Sequence, residues 1–169
     1  ASAVQETLAK AEADLLALKA EEFAERVSKY PTDRRLKFQT GEVMYALGRV
    51  EDAMANFQAA KEDPKLRVAA GHMLGLCFEK DGWHDVAIGE FKEAMENIDA
   101  TNRDRELDIR YDLMISLINH ARKDQSIDHA KEALDICSSI ARKNITYRDI
   151  RQRRKEIDSL TKELSGEGS

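Results

Sequence analysis

Apolar residues recur at intervals of three and four along most of this chain, the spacing that places them on one face of an α-helix. The clearest run is the first, in which Val4, Leu8, Ala11, Leu15 and Leu18 follow one another at steps of 4, 3, 4 and 3 residues. Only 2 prolines and 8 glycines interrupt the 169 residues, a composition that favours helix. The pattern therefore predicts an all-α protein.

Breaks in the periodicity predict where the helices begin and end. Pro31 and Pro64 stand where a helix ends, and Gly48 and Gly82 suit left-handed turns between helices. The first helix is one long element or two that join near Ala17. The predicted helices cover residues 2–29, 34–47, 50–62, 66–80, 83–98, 103–122, 126–143 and 147–163.

Small and aromatic positions repeat with one stride. Because glycine inside a helix costs about 1 kcal/mol relative to alanine, we expect two helix backbones to touch at Gly41 and again at Gly75. A constant stride indicates one helix–turn–helix unit used more than once. The pairs that lie 34 residues apart are Gly41 and Gly75, Met44 and Phe78, Gly48 and Gly82, Ala53 and Ala87, Phe57 and Phe91, and Ala60 and Ala94.

The residues around this stride follow a family pattern. They are Thr40-Gly41-x2-Met44, Ala53-x3-Phe57 and Pro64 in the first copy, and Leu74-Gly75-x2-Phe78 and Ala87-x3-Phe91 in the second. They resemble the tetratricopeptide repeat (TPR) family, although Lys37 and Gly71 replace its tryptophan. The resemblance implies an α-solenoid of stacked antiparallel helix pairs, a TPR-like right-handed superhelix with N- and C-terminal capping helices.

The resemblance also divides the chain. Ala130 stands 43 residues after Ala87 rather than 34, so the extra residues lengthen the helix that starts near Asn102 and the loop before it. We expect Tyr30-Pro31-Thr32-Asp33 to break the first helix and cap the second, and Thr146 to cap the last. The predicted parts are a long N-terminal helix (1–30), a first repeat (33–64), a second (66–98), a divergent third (102–143), a C-terminal capping helix (146–164) and a disordered tail (165–169).

The first helix supports two interpretations. Its second half, with Ala20, Phe23, Ala24 and Val27, resembles the back helix of a degenerate repeat, so that the helix would cap the first true repeat. Alternatively, the spacing over residues 4–18 is a heptad seam that joins two chains in a homodimer. Two heptads are short for a stable coiled coil, and the sequence leaves both interpretations open.

By the resemblance, function lies on the inner wall that the first helix of each repeat forms. Spacings of three and four place the inward positions on one helical face. They are Arg35, Phe38, Gln39, Glu42 and Tyr45 in the first repeat, Ala69, His72, Met73, Leu76 and Glu79 in the second, and Arg110 and Met114 in the third.

The character of this wall predicts the partner. Phe38, Tyr45, Met73 and Leu76 suit an apolar helix or an extended apolar segment of another protein. The Lys/Asn/Arg clamp with which some family members hold a peptide carboxylate is missing. We therefore predict a non-enzymatic scaffold for protein–protein contact, with homo-oligomerisation through the first helix as the alternative. A further alternative is that the chain covers part of the wall itself.

The net charge and the length of the apolar runs narrow the class of protein. The net charge of −5 argues against an overall nucleic-acid role. No apolar run approaches the roughly 20 residues that a membrane helix needs, and no secretory leader is visible. We expect a cytoplasmic protein without membrane segments in this stretch of sequence.

No catalytic or metal-binding pattern stands out. His72, His84, His120 and His129 lack another His or Cys at the helical spacing of a metal site. There is also no glycine-rich phosphate loop and no G-x-S-x-G motif. We therefore expect no cofactor, no metal and no enzymatic activity.

Three further side chains call for an interpretation. Trp83 follows the turn residue Gly82 and is expected to pack against a neighbouring helix, with ligand contact as the alternative. Cys77 and Cys137 fall on apolar helical faces, so we expect buried reduced thiols, with a disulfide or a reactive site as the alternative.

A basic run lies near the end of the chain. It comprises Arg148, Arg151, Arg153, Arg154 and Lys155, diluted by nearby carboxylates. A solvated capping helix is the favoured interpretation, followed by a contact for an acidic protein segment. A nucleic-acid adaptor is a third alternative, although such a site would call for more positive charge and interleaved aromatic residues.

Overall fold

The computed structural model describes residues 2–167, and most of the α-helices within them pack against a neighbour in the chain. The described part is all-helical and contains no strand, so the predicted fold class is confirmed at that level. A 3-10 turn, Arg103–Arg105, precedes the sixth helix. The helices are α1 (Ala3–Lys29), α2 (Arg34–Ala46), α3 (Val50–Ala60), α4 (Arg67–Lys80), α5 (His84–Glu96), α6 (Glu106–Asp124), α7 (Ile127–Lys143) and α8 (Ile150–Ser165).

Most predicted helix ends are confirmed. The Asp33 carboxylate caps α2 by accepting a hydrogen bond from the Leu36 amide at 2.9 Å. Gly48 and Gly82 have φ angles of 77° and 80°, in the left-handed region that glycine adopts without a steric penalty. α1 begins with a capping box at Ser2 and continues without a break through Ala17.

The predicted start of the last helix is wrong. Thr146 does not cap α8; its amide and hydroxyl both donate to the Asn144 side chain in the preceding turn. Arg148 then has a φ of 43°, a left-handed value that a right-handed helix does not contain, so α8 begins only at Ile150. At the other end Ser165 still belongs to α8, and residues 168–169 of the predicted tail lie outside the described range.

Two compact units divide the structure after Cys77, inside α4. In the first unit α1 packs on α2, and α2 packs on α3. The Phe57 ring lies against the backbone of Gly41, where an added Cβ would come within 2.7 Å of the ring. The missing Cβ of Gly41 therefore makes room for an aromatic ring. The prediction that two helix backbones touch at this position is wrong.

The second unit is organised around α6, which contacts both α5 and α7, while α7 contacts α8. α6 has 19 residues against 14 in α4, in line with the predicted insertion. Ile109, Leu117, Ile140 and Ile157 are fully buried between these helices. The core of the second unit therefore extends to α8, the C-terminal helix.

Both cysteines are buried and neither forms a disulfide, as predicted. The Cys137 thiol lies 3.7 Å from the Ile150 carbonyl oxygen. Burial raises the pKa of this thiol, so it stays protonated at neutral pH.

Candidate interaction surfaces

One face of α1 carries a row of exposed apolar side chains. Val4, Leu8, Leu15 and Leu18 are 77%, 58%, 68% and 63% exposed, and the exposed Ala11 lies among them. We call these five residues the α1 stripe. Single exposed apolar side chains are normal on a protein surface, but a contiguous row of large ones marks an interaction site.

The α1 stripe is separate from the face that α1 turns to its own chain. Ala20 is fully buried, and Phe23 and Val27 are half-buried against the rest of the first unit. At 100° per residue, the centre of this inner face lies about 130° around the helix from the centre of the stripe. The cap interpretation therefore suits the second half of α1, whereas the stripe on the first half stays uncovered.

Opposite charges border the α1 stripe. Asp14 and Glu21 lie along one edge, and Lys19 and Arg26 lie along the other. Arg26 also contacts Glu22, at a distance of 3.9 Å between charged atoms. Glu12 lies on the same edge as Lys19, one heptad earlier. The stripe is thus an apolar seam with one acidic border and one border of mixed charge.

A cleft of about 340 Å³ lies between α1 and α2. Two residues of the predicted wall, Gln39 and Glu42, stand at this cleft. Its other lining residues are Leu16, Lys19 and Phe23 of α1 and Val43 and Ala46 of α2. The cleft is therefore lined by apolar side chains together with one positive and one negative charge.

The structure divides the predicted wall residues into three groups by exposure. Arg35, Gln39 and Glu42 are exposed; Tyr45, Ala69, Met73, Leu76, Glu79 and Arg110 are half-buried; Phe38, His72 and Met114 are buried. Surface available to a partner is thus concentrated on α2, with a smaller part on α4.

Three of the predicted wall residues pack or pair within their own unit instead of facing a partner. Phe38 packs edge-on against Phe57, with ring centroids 5.6 Å apart. Met114 has no exposed surface, so its assignment to a binding wall is corrected to the core of the second unit. The Arg110 guanidinium pairs with Glu106 at 2.6 Å and lies 3.4 Å from the Ser139 hydroxyl, which ties it to its own unit.

Glu79 also has an internal role. Its carboxylate accepts hydrogen bonds from the Ser116 hydroxyl at 2.6 Å and the Asn119 amide at 2.5 Å, both on α6. His84, the first residue of α5, lies 2.9 Å away through Nδ1. Burial by itself raises the pKa of Glu79, but the three hydrogen bonds outweigh it and hold that pKa below its usual value. This carboxylate therefore links the end of α4 to α5 and α6.

Trp83 is 59% exposed, so the prediction that it packs against a neighbouring helix is wrong. It occupies the N-cap position of α5, and its amide donates to the Phe78 carbonyl. At this turn α4 and α5 are joined by the polar contact between Glu79 and His84 instead.

The C-terminal basic run is partly neutralised. The Arg148 guanidinium lies 4.6 Å from the centroid of the Tyr111 ring and pairs with Asp108 at 3.0 Å. Arg153 pairs with Asp149 and Glu156, and Arg154 pairs with Asp158. Arg151 and Lys155 are exposed at the rim of a cavity of about 250 Å³ over Cys137 and Ile150. Three of the five basic side chains thus already contact carboxylates.

The described residues hold no cluster of three or more His, Cys, Asp or Glu side chains that would suit a metal ion. Within the same range, every helix is too short or too polar to cross a bilayer. The sequence matches no protein-family model and no curated protein.

Proposed function

We propose that this chain is a non-enzymatic protein-interaction module that docks an apolar helix of a partner against the α1 stripe. The observation that carries the proposal is the exposure of four large apolar side chains on a helical face that the rest of the first unit leaves uncovered. Their heptad spacing suits knobs-into-holes packing with a second helix. The TPR-like stride supports the wider class, because repeat folds commonly serve as binding scaffolds.

Capture from source cells with the full chain tests this proposal. Leu15→Asp places a charge in the middle of the α1 stripe, and Ala13→Asp places the same charge on the opposite, exposed side of α1. We expect a specific partner to be retained by the wild type and by Ala13→Asp and to be lost, by roughly tenfold or more, with Leu15→Asp. Circular dichroism checks that both variants keep their helical content. Equal capture by both variants would contradict the proposal.

The cleft between α1 and α2 favours a second candidate function, the predicted groove binding. It is lined by Gln39 and Glu42 of the predicted wall and by several apolar side chains, which suit a short apolar segment. Ala46→Trp fills the cleft without touching the α1 stripe. A groove ligand would be displaced by Ala46→Trp and unaffected by Leu15→Asp. Partners that respond only to Leu15→Asp would leave the stripe as the functional surface.

A further inference from the structure

We propose that the helix docked on the α1 stripe belongs to a second copy of this chain, and that the two α1 helices lie parallel and in register. This inference rests on the docking role proposed for the stripe and names its partner. It is carried by the self-complementary pattern of apolar and charged residues around α1.

The apolar positions fit a two-stranded coiled coil. Leu8 and Leu15 take the a positions of two heptads, and Val4, Ala11 and Leu18 take the d positions. In a parallel pair, each a or d side chain packs at the same level as its copy. A second copy therefore supplies a matching row of knobs for every hole.

The charges beside the stripe select a second copy and its direction. Asp14 and Glu21 occupy g positions, and Lys19 and Arg26 occupy e positions five residues further on. In a parallel coiled coil a g residue faces the e residue five positions later in the other helix. Asp14 would thus face Lys19 of the second copy within the seam, and this pair is formed twice by symmetry.

The antiparallel arrangement is unfavourable for the same residues. It brings g edges together and e edges together. The g edge carries no basic residue, so Asp14 would not face Lys19 and the ion pairs of the parallel arrangement would be lost. Charge complementarity across an interface favours the orientation that forms such pairs.

The neighbouring helix leaves room for the pair. Because α2 contacts a face of α1 about 130° from the stripe, each copy of α2 would lie on the outer side of its own α1. The next a and d positions are Glu22 and Glu25, so the apolar seam ends after Leu18. A seam of this length predicts weak, concentration-dependent association.

Sedimentation equilibrium of the full chain, from low micromolar to near-millimolar concentration, tests the association. We expect the mass to rise from 19.1 kDa towards twice that value. Leu15→Asp should weaken association by roughly tenfold or more, and Ala13→Asp should leave it unchanged. Lys19→Asp should weaken it by roughly tenfold, and adding Asp14→Lys should restore it, because the charges are exchanged.

A cysteine at Leu18 tests the direction. In the parallel pair the two copies of residue 18 lie at one level, close enough for a disulfide in Leu18→Cys. In an antiparallel pair with the stripe fully overlapped, they are separated by about 20 Å along the axis. Since Cys77 and Cys137 are buried, a cross-linked dimer on a non-reducing gel reports residue 18. A dimer that forms without the cross-link would overturn the parallel register.

The outcomes separate this inference from the docking function. A chain that stays monomeric at every concentration overturns the inference. If Leu15→Asp then still abolishes capture of a different protein, the stripe keeps its proposed function with another partner. If Leu15→Asp changes neither mass nor capture, both proposals fail.

Discussion

Gly41 shows how one missing methyl group determines a helix contact. The Phe57 ring occupies the space where the Cβ of any other residue would lie, at 2.7 to 2.9 Å from three ring carbons. We predict that Gly41→Ala lowers the free energy of unfolding by about 1 to 3 kcal/mol through overpacking. The loss should appear even though alanine is favoured over glycine in a helix by about 1 kcal/mol. The midpoint of urea unfolding measures it.

Gly89 provides the matched control for this substitution. It lies in α5, and an added Cβ would have no atom within 4 Å. Gly89→Ala should therefore raise the unfolding free energy by about 0.5 to 1 kcal/mol. Equal stabilisation by the two alanines would show that the Phe57 ring moves aside without cost and that Gly41 is not required.

The half-buried Glu79 carboxylate predicts a pH-dependent stability. Because its folded pKa is below the reference value of 4.5, the ionised group stabilises the fold above that pH. The contribution is lost as the pH falls through the folded pKa. We predict that Glu79→Gln costs about 1 to 3 kcal/mol at neutral pH, since donors from Ser116 and Asn119 lose a charged acceptor.

The difference between wild type and Glu79→Gln should shrink as the pH is lowered below 4.5. Urea unfolding at a series of pH values measures this trend. Glu96→Gln, at an exposed position of α5, is the control and should change little at any pH. A difference for Glu79→Gln that stays constant down to acidic pH would mean that the carboxylate is not stabilised by its hydrogen bonds.

At the residue scale, the sequence predicted what local backbone chemistry decides. Gly48 and Gly82 could be assigned to left-handed turns because glycine adopts positive φ without a steric penalty. Glu79 and Trp83 could not be assigned, because their surroundings depend on which residues of other helices lie nearby. Ser116 and Asn119, which donate hydrogen bonds to Glu79, are 37 and 40 residues away in sequence, so no local pattern predicts these contacts.

At the scale of the helix, periodicity was the reliable signal and the exact helix ends were not. Asp33 caps α2 as predicted because a short polar side chain before a helix meets an unpaired amide within the same turn. The same argument failed at Thr146, where Asn144 forms a competing turn and the left-handed Arg148 delays the helix. Several short polar residues in a row leave the choice of cap undetermined.

α1 shows a second limit of periodic patterns. The sequence contains two apolar faces on this helix, one through Leu8 and Leu15 and another through Ala20 and Val27. Only the structure shows that the second face contacts the chain and the first is exposed. The heptad spacing is equally suited to both interpretations of α1, since a helix packs against its own chain and against another chain by the same rules.

For the whole molecule, the distribution of charge bears on the nucleic-acid alternative. The net charge is −5, and Arg148, Arg153 and Arg154 already pair with carboxylates of the same unit. A phosphate backbone would have to compete with these carboxylates. In the C-terminal basic run, Arg151 and Lys155 remain available to contact phosphate. Two cations are few, since tight binding to nucleic acid usually depends on many phosphate contacts.

We therefore predict that the full chain does not bind DNA or RNA even at low ionic strength. Fluorescence anisotropy of labelled single- and double-stranded oligonucleotides, titrated with protein, measures this directly. Arg151→Glu combined with Lys155→Glu is the matched variant and should give the same flat titration as the wild type. Binding that weakens steeply with added salt, and that this double variant abolishes, would contradict the prediction, because counterion release is the signature of phosphate contacts. Such a result would make the C-terminal helix a second functional surface, independent of the α1 stripe.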